Sequence, residues 1–254
     1  HSTDLGMQQY ADSYLKKIRE ILHEKNEGPT SCIPCKQQRD SYDWYARHEE
    51  ILKLNRENAP EIIMIGNSIT HYWAGEPTAP TQRGKEAWDK LFKNRSVRNL
   101  GFGWDKTENV LWRIYHGELD VFLALFLFIF IHILIKFKAN MIFLLIGTNN
   151  LQFNTDKEIL QGILQVTEAI KIRQPQAKLC VMGILPRANT EKRIQQINKE
   201  LRKKLEQNCI YINLSNLLTD KNGIINSSLF SDGLHPNTKG YEKIAEVLKT
   251  YLDN

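Results

Sequence analysis

The chain has 254 residues, with 34 Lys and Arg against 29 Asp and Glu and a formal charge of +5. That length fits one large domain, or one domain with an appendage, and either can bury a substantial core. The basic residues are interspersed with acidic ones rather than gathered into an aromatic-studded patch, which argues against a nucleic-acid partner.

From Met7 to Glu24 the residues Tyr10, Tyr14, Ile18 and Leu22 recur at about every fourth position, which predicts an amphipathic helix. A loop from Asn26 to Asp40 follows and carries Cys32 and Cys35 as a CxxC. Zinc needs about four ligands, and no second CxxC or His pair completes the set, so no metal is expected. The motif also lies away from any junction of strand and helix, so it reads as a loop tie or two free thiols rather than a redox centre. Trp44 to Asn58 predicts a second amphipathic helix, stopped by Pro60. Residues 1–58 therefore read as a helical extension ahead of a main domain at 59–254.

Strand and helix patterns then alternate: Glu61 to Ile65, Trp88 to Phe92, Ser96 to Leu100, Thr107 to Tyr115, Met141 to Ile146, Asp156 to Arg173, Lys178 to Leu185, Lys192 to Gln207 and Cys209 to Leu214. Such alternation implies crossover connections and a parallel sheet covered by helices on both faces. One segment breaks the pattern, an apolar insertion within about 121–139. Its Val121 to Ile135 stretch has His132 as its only polar side chain. As a helix it would span about 22 Å, short of the roughly 30 Å hydrocarbon core. A membrane crossing there would also separate the two halves of the candidate site. Packing against the domain or a second copy is expected over membrane contact.

Four short blocks carry the chemistry: Gly66-Asn67-Ser68, Asn99-Leu100-Gly101-Phe102-Gly103-Trp104, Gly147-Thr148-Asn149-Asn150 and Asp232-Gly233-Leu234-His235-Pro236. The first three follow apolar runs that read as buried strands, and functional side chains gather at the carboxyl ends of such strands. Ser68 beside a strand end could serve as a helix cap. A serine nucleophile needs a base and a carboxylate that fixes the base, and His235 with Asp232 three residues earlier supplies both. The spacing predicts that the two share one face of a helical turn. Donors for an oxyanion come from the Ser68 N–H, a backbone N–H in the Gly103-Trp104 turn and the Asn149 side-chain amide.

In these blocks the chain resembles the SGNH, or GDSL-type, hydrolases, over about Pro60 to Leu252. Within that family Asn109-Val110-Leu111-Trp112-Arg113, Gly117-Glu118-Leu119 and Gly147-Thr148-Asn149-Asn150 are similar to the platelet-activating-factor acetylhydrolase Ib catalytic subunits and their bacterial relatives. The resemblance implies a flavodoxin-like α/β/α sandwich with a central, mostly parallel five-stranded sheet. It implies Ser68 as nucleophile, His235 as base, Asp232 as its partner, and Ser68, Gly103, Trp104 and Asn149 around the oxyanion, with no cofactor. Three departures stand out. Asn67 replaces the usual Asp, Trp104 stands where the mammalian relatives have a second Gly, and the apolar insertion has no counterpart in the family pattern.

The expected activity is hydrolysis of short-chain esters, acetyl above others, on a small substrate such as an acetylated saccharide. Trp73 and Trp104 would offer ring surfaces to the sugar. A lipid or thioester acyl hydrolase and an inactive carbohydrate-binding relative are the competing readings. A chain that begins at His1 without a charged-then-apolar leader fits a periplasmic or secreted protein whose signal peptide has been removed, as well as an arbitrary cut in a longer chain.

Overall fold

Ile62–Gly66 forms β1, a strand buried along its whole length. Its side chains divide by the period of two: Ile63 and Ile65 enter one apolar cluster, Ile62 and Met64 the other. The same division holds for Met141–Leu145 and Lys178–Met182, where Ile142, Leu144, Leu179 and Val181 face one layer and Phe143, Leu145, Cys180 and Met182 the other. A strand covered on both faces needs such an unbroken apolar run, and each fully buried Ile or Leu contributes about 1.5–3 kcal/mol.

This computed structural model describes residues 14, 28–37, 42–120, 122–125, 133–136, 138–205 and 209–253. The strands are β1, β2 (Val97–Gly101), β3 (Phe122–Leu125), β4 (Ile133–Lys136), β5 (Met141–Leu145), β6 (Lys178–Met182) and β7 (Ile210–Ile212). Five of them make one sheet in the order β2-β1-β5-β6-β7, with every pairing parallel. The helices are α1 (Trp44–Glu57), α2 (Ser68–His71), α3 (Lys85–Leu91), α4 (Thr107–Arg113), α5 (Asp156–Arg173), α6 (Glu191–Leu205), α7 (Ser215–Leu218) and α8 (Thr238–Leu252). One layer packs α1, α4, α5 and α6 on the sheet through residues such as Trp44, Ile51, Leu111, Ile163 and Leu201. The other packs α3 and α8 through Trp88, Leu91, Tyr241, Ile244 and Leu248. The result is the expected three-layer α/β/α sandwich.

Local sequence explains the helix boundaries. Thr155 and Glu158 form a capping box, each side chain bonding the other's backbone N–H, which starts α5 at Asp156 as the sequence predicts. The helix expected through Tyr115 ends at Arg113, and a π turn with non-helical dihedrals at His116 and Gly117 follows. Strand β6 stops at Met182, short of the expected Leu185, because the Asn198 side chain takes both backbone groups of Ile184 out of the ladder.

Residues 28–37 and 42–57 join this core. Trp44 and Ile51 of α1 are buried in it, and the Arg47 guanidinium donates to the carbonyls of Gly101, Pro77 and Asn99. The helix expected at Met7 to Glu24 lies outside the described residues except for Tyr14. Within the apolar insertion, β3 and β4 pair antiparallel as a separate two-stranded sheet. His132 lies outside the described residues. Among the described residues no helix is long and apolar enough to cross a membrane.

Candidate active site

Three adjacent strands, β2, β1 and β5, end at one edge of the sheet in Gly101, Gly66 and Leu145, and each leads into one of the sequence blocks. Gly66 is required by crowding, since a Cβ there would sit 2.2 Å from the Thr70 hydroxyl oxygen and 2.6 Å from the Leu145 carbonyl. Asn67 caps the short helix α2 by accepting the Ile69 N–H at 2.9 Å, so the Asn found in place of Asp keeps the turn-stabilising contact.

Ser68 opens α2 and is buried. Its Oγ lies 2.8 Å from His235 Nε2, and His235 Nδ1 lies 2.7 Å from Asp232 Oδ2. A carboxylate oxygen only accepts, so Nδ1 carries the proton and the Nε2 lone pair faces the serine hydroxyl. The Asp232–His235 unit is not the helical turn that the spacing predicted. It is a side-chain-capped bend: Asp232 Oδ1 accepts the N–H groups of Leu234 at 3.1 Å and His235 at 2.8 Å, with Gly233 at φ +72°. The terminal helix α8 is capped separately by Asn237. Burial raises the Asp232 carboxyl, but the backbone and ring N–H groups of His235 outweigh it and hold the group below its ordinary value. Arg83 adds its guanidinium 3.7 Å from Asp232 Oδ2, and the Tyr72 ring lies 5.6 Å from the His235 ring. Neither Arg83 nor Tyr72 stood out in the sequence.

The turn after β2 differs from expectation. The Gly103 N–H, a candidate oxyanion donor, instead donates to His71 Nδ1 at 3.1 Å. Burial first, then the nearby charges of Arg47 and Arg113, push the His71 pKa down to about 3, so the ring stays neutral and its Nδ1 accepts. Trp104 takes up the left-handed conformation at φ +66°, which costs a bulky residue roughly 1–2 kcal/mol. Its side chain is 44% exposed. Asn149 donates its Nδ2 to the Asp105 carbonyl at 3.0 Å. A cavity of about 320 Å³ adjoins this side, lined by Trp104, Asn149, Gln37, Asn109, Phe153 and the Cys35–Lys36 segment. Neither this cavity nor a larger cleft of about 850 Å³, bordered by α6 and the 211–223 region, is lined by Ser68, Asp232 or His235.

Trp73 is a correction. It is 3% exposed, stacked on Tyr241 at 5.2 Å between centroids and edge-on to Trp88 at 5.6 Å. The second apolar layer absorbs it, so it offers no ring to a substrate. Phe153, 61% exposed, lines the 320 Å³ cavity, with Lys106 Nζ 4.9 Å from its ring centroid.

The lowered value at His71 predicts a pH effect on stability. Between about pH 6.5 and 3 the unfolded chain binds a proton at this ring that the folded chain does not. This contribution is therefore complete above pH 6.5 and is lost as pH falls, at about 1.4 kcal/mol per unit. Urea midpoints compared between the wild type and His71→Gln, whose amide oxygen can still accept from Gly103, should show the variant less acid-sensitive. Parallel pH curves would refute the assignment.

The sequence matches the GDSL-like lipase/acylhydrolase family over residues 64–243, and the chain belongs to that family. It is an ester hydrolase of the GDSL type. Human platelet-activating factor acetylhydrolase IB subunit alpha2 is 28% identical over 212 residues, 81% of each chain. A solved structure described as a putative platelet activating factor from Streptococcus pneumonia superimposes with a TM-score of 0.61 at 22% identity, covering 82% of this chain and 94% of that one. A carbohydrate esterase family 3 structure from Talaromyces cellulolyticus shares the fold at a TM-score of 0.53 and 15% identity, covering 76% and 95%.

Proposed function

We propose that the protein is a serine esterase that removes acetyl groups, acting on an O-acetylated carbohydrate without a metal or other cofactor. The main support is the continuous line of hydrogen bonds from Ser68 Oγ through His235 to Asp232, at 2.8 and 2.7 Å. Ser68 attacks the ester carbonyl carbon while His235 Nε2 takes the hydroxyl proton. The developing oxyanion is held by the N–H groups of Ser68 and Trp104 and by the Asn149 amide. Collapse breaks the ester C–O bond, the imidazolium returns its proton to the leaving alcohol, and an acetyl-serine remains. Water, activated by the same histidine, releases acetate. Asp232 keeps the imidazole in one tautomer throughout.

The sugar reading rests on the mixed lining of the 320 Å³ cavity. Exposed rings of Trp104 and Phe153 stand beside the amides of Asn149 and Gln152, a combination that suits a pyranose with one apolar face and a rim of hydroxyls. An acyl-length series tests the acyl half of the proposal. Acetate esters should be hydrolysed at least about tenfold better than octanoate esters in kcat/KM. Trp104→Gly should widen acceptance while leaving the backbone donor in place. Activity that climbs steadily with chain length would replace this reading by a lipid acyl hydrolase, and acetate release from acetylated xylan and acetylated monosaccharides tests the sugar half.

The chain leaves the insertion and re-enters the sheet at the other edge, where the Asn140 N–H donates to the Glu61 carbonyl. The insertion precedes β5, so it meets the sheet at the amino ends of strands, whereas Ser68 and Asn149 follow the carboxyl ends. A strand of this length separates those edges by roughly 17 Å. Replacing residues 121–135 by a short polar linker should leave p-nitrophenyl acetate turnover within about twofold and change solubility or oligomeric state. A folded deletion variant without activity would place the insertion in the site after all.

A further inference from the structure

Gln37 and Tyr42, ahead of α1, reach the Gly103-Trp104 turn, which bears the proposed oxyanion donor at the Trp104 N–H. Gln37 Nε2 donates to the Gly103 carbonyl at 3.0 Å and to Asp105 Oδ1 at 2.8 Å, and the Tyr42 hydroxyl donates to the same carbonyl at 3.2 Å. Both neighbours of the Gln37 nitrogen only accept, so the amide cannot be turned the other way without loss. Asp105 is itself held, by Trp44 Nε1 at 2.7 Å and Arg113 Nε at 2.9 Å. Gln37 therefore bridges a buried, fixed carboxylate and the Gly103 carbonyl.

That carbonyl belongs to the peptide whose N–H is Trp104. In a trans peptide the C=O and N–H point in opposite directions, so fixing one fixes the other. The hold matters here because Trp104 sits at φ +66°, and a rotation of the Gly103–Trp104 peptide would relieve its strain. Two donors on one carbonyl oxygen occupy both of its lone pairs and oppose that rotation. A glycine at position 104 would be at ease in either arrangement and would need less restraint.

We propose that Gln37 and Tyr42 are positioning residues for the oxyanion hole, holding the Gly103–Trp104 peptide so that the Trp104 N–H faces the developing negative charge. This inference rests on the serine esterase reading given above. Neither side chain touches the reacting atoms. They act through a peptide plane, and the dependence on them arises with the bulky residue at 104.

The test uses the full chain with Gln37→Ala and Tyr42→Phe, separately and combined, assayed on p-nitrophenyl acetate. Each change should lower kcat about tenfold, and the pair about a hundredfold, with KM within twofold. Affinity for a trifluoromethyl ketone, which gives Ser68 a tetrahedral oxyanion adduct, should fall by the same factors. In a Trp104→Gly background the Tyr42→Phe penalty should shrink to threefold or less, a coupling that a purely structural role would not produce. Tyr42→Phe removes one oxygen and carries the test if Gln37→Ala fails to fold. Wild-type kcat and inhibitor affinity in both variants would overturn the inference, as would a rise in KM at constant kcat. A fluorophosphonate probe separates the two levels of the argument. If Ser68 is not labelled and Ser68→Ala still turns over, the serine esterase reading with Ser68 as nucleophile falls. If Ser68 is labelled and Ser68→Ala is inert while the clamp variants behave as wild type, only the positioning role falls.

Discussion

Ser68→Ala should abolish nearly all turnover of p-nitrophenyl acetate, by about 10⁴-fold or more in kcat, while the protein keeps its fold and melting temperature. His235→Ala should do the same, and the double variant should be little worse than either, because the residues act as a unit. The reason is geometric. The serine hydroxyl is a weak nucleophile at neutral pH, and the only activation in the proposed mechanism is the 2.8 Å bond to His235 Nε2. Asp232→Asn should lose less, since the Arg83 bond to the Ser231 hydroxyl and the bend keep the segment in place while an amide facing Nδ1 disturbs the tautomer. Chelators should leave the rate unchanged, because no step of the proposed mechanism passes through a metal. A folded Ser68→Ala variant with near-normal turnover would end the nucleophile assignment.

Much of this arrangement could be read in the sequence because it rests on local rules. The apolar runs Ile62-Ile63-Met64-Ile65 and Met141-Ile142-Phe143-Leu144-Leu145 allow no solvent face, so they demand a covered parallel sheet. Thr155 and Glu158 mark the start of α5 to the residue. The blocks that follow the strands then meet at one edge because the topology leaves them no other place.

What the sequence hid depends on contacts between distant segments. Trp73 looks like a site residue by its nearness to Ser68, yet its burial is decided by Tyr241, far along the chain in α8. His71 carries no motif, and its bond to Gly103 exists only because β2 delivers that glycine beside α2. The Asp232–His235 spacing fits a helical turn and a side-chain-capped bend equally well. Gly233 at positive φ, which a periodicity argument does not register, decides for the bend. Gln37 lies in the loop expected from Asn26 to Asp40 and Tyr42 just beyond it, and only the folded chain brings them to the Gly103 carbonyl.

Arg113→Met should be the most destabilising single substitution considered, by about 3–5 kcal/mol, or a fall of roughly 10 °C in Tm. Arg113 is fully buried, with Nε 2.9 Å from Asp105 Oδ2 and Nη1 bonded to Glu118 Oε2. Methionine fills similar space but leaves two buried carboxylates without their cation. His48, 2.8 Å from Glu118, answers only one of them. By contrast, Lys85→Ala breaks an exposed pair with Asp89 and should cost under about 1 kcal/mol. The pH dependence of the Arg113→Met penalty identifies its cause. Burial pushes the Asp105 carboxyl up to about 7 even against the pull of Arg113, so removal of the guanidinium should raise it further. A carboxyl whose folded value lies above its unfolded one is best tolerated below the unfolded value, near pH 4, and its burden grows as pH rises through the folded value. The gap between wild type and variant in urea midpoint should therefore widen from pH 4.5 to pH 8. A gap that stays constant with pH would mean that lost packing against Phe102, whose ring lies 3.9 Å from the guanidinium carbon, dominates over the uncompensated charge. Because Asp105 also anchors Gln37 and its carbonyl receives the Asn149 amide, the same substitution should lower kcat in whatever fraction remains folded.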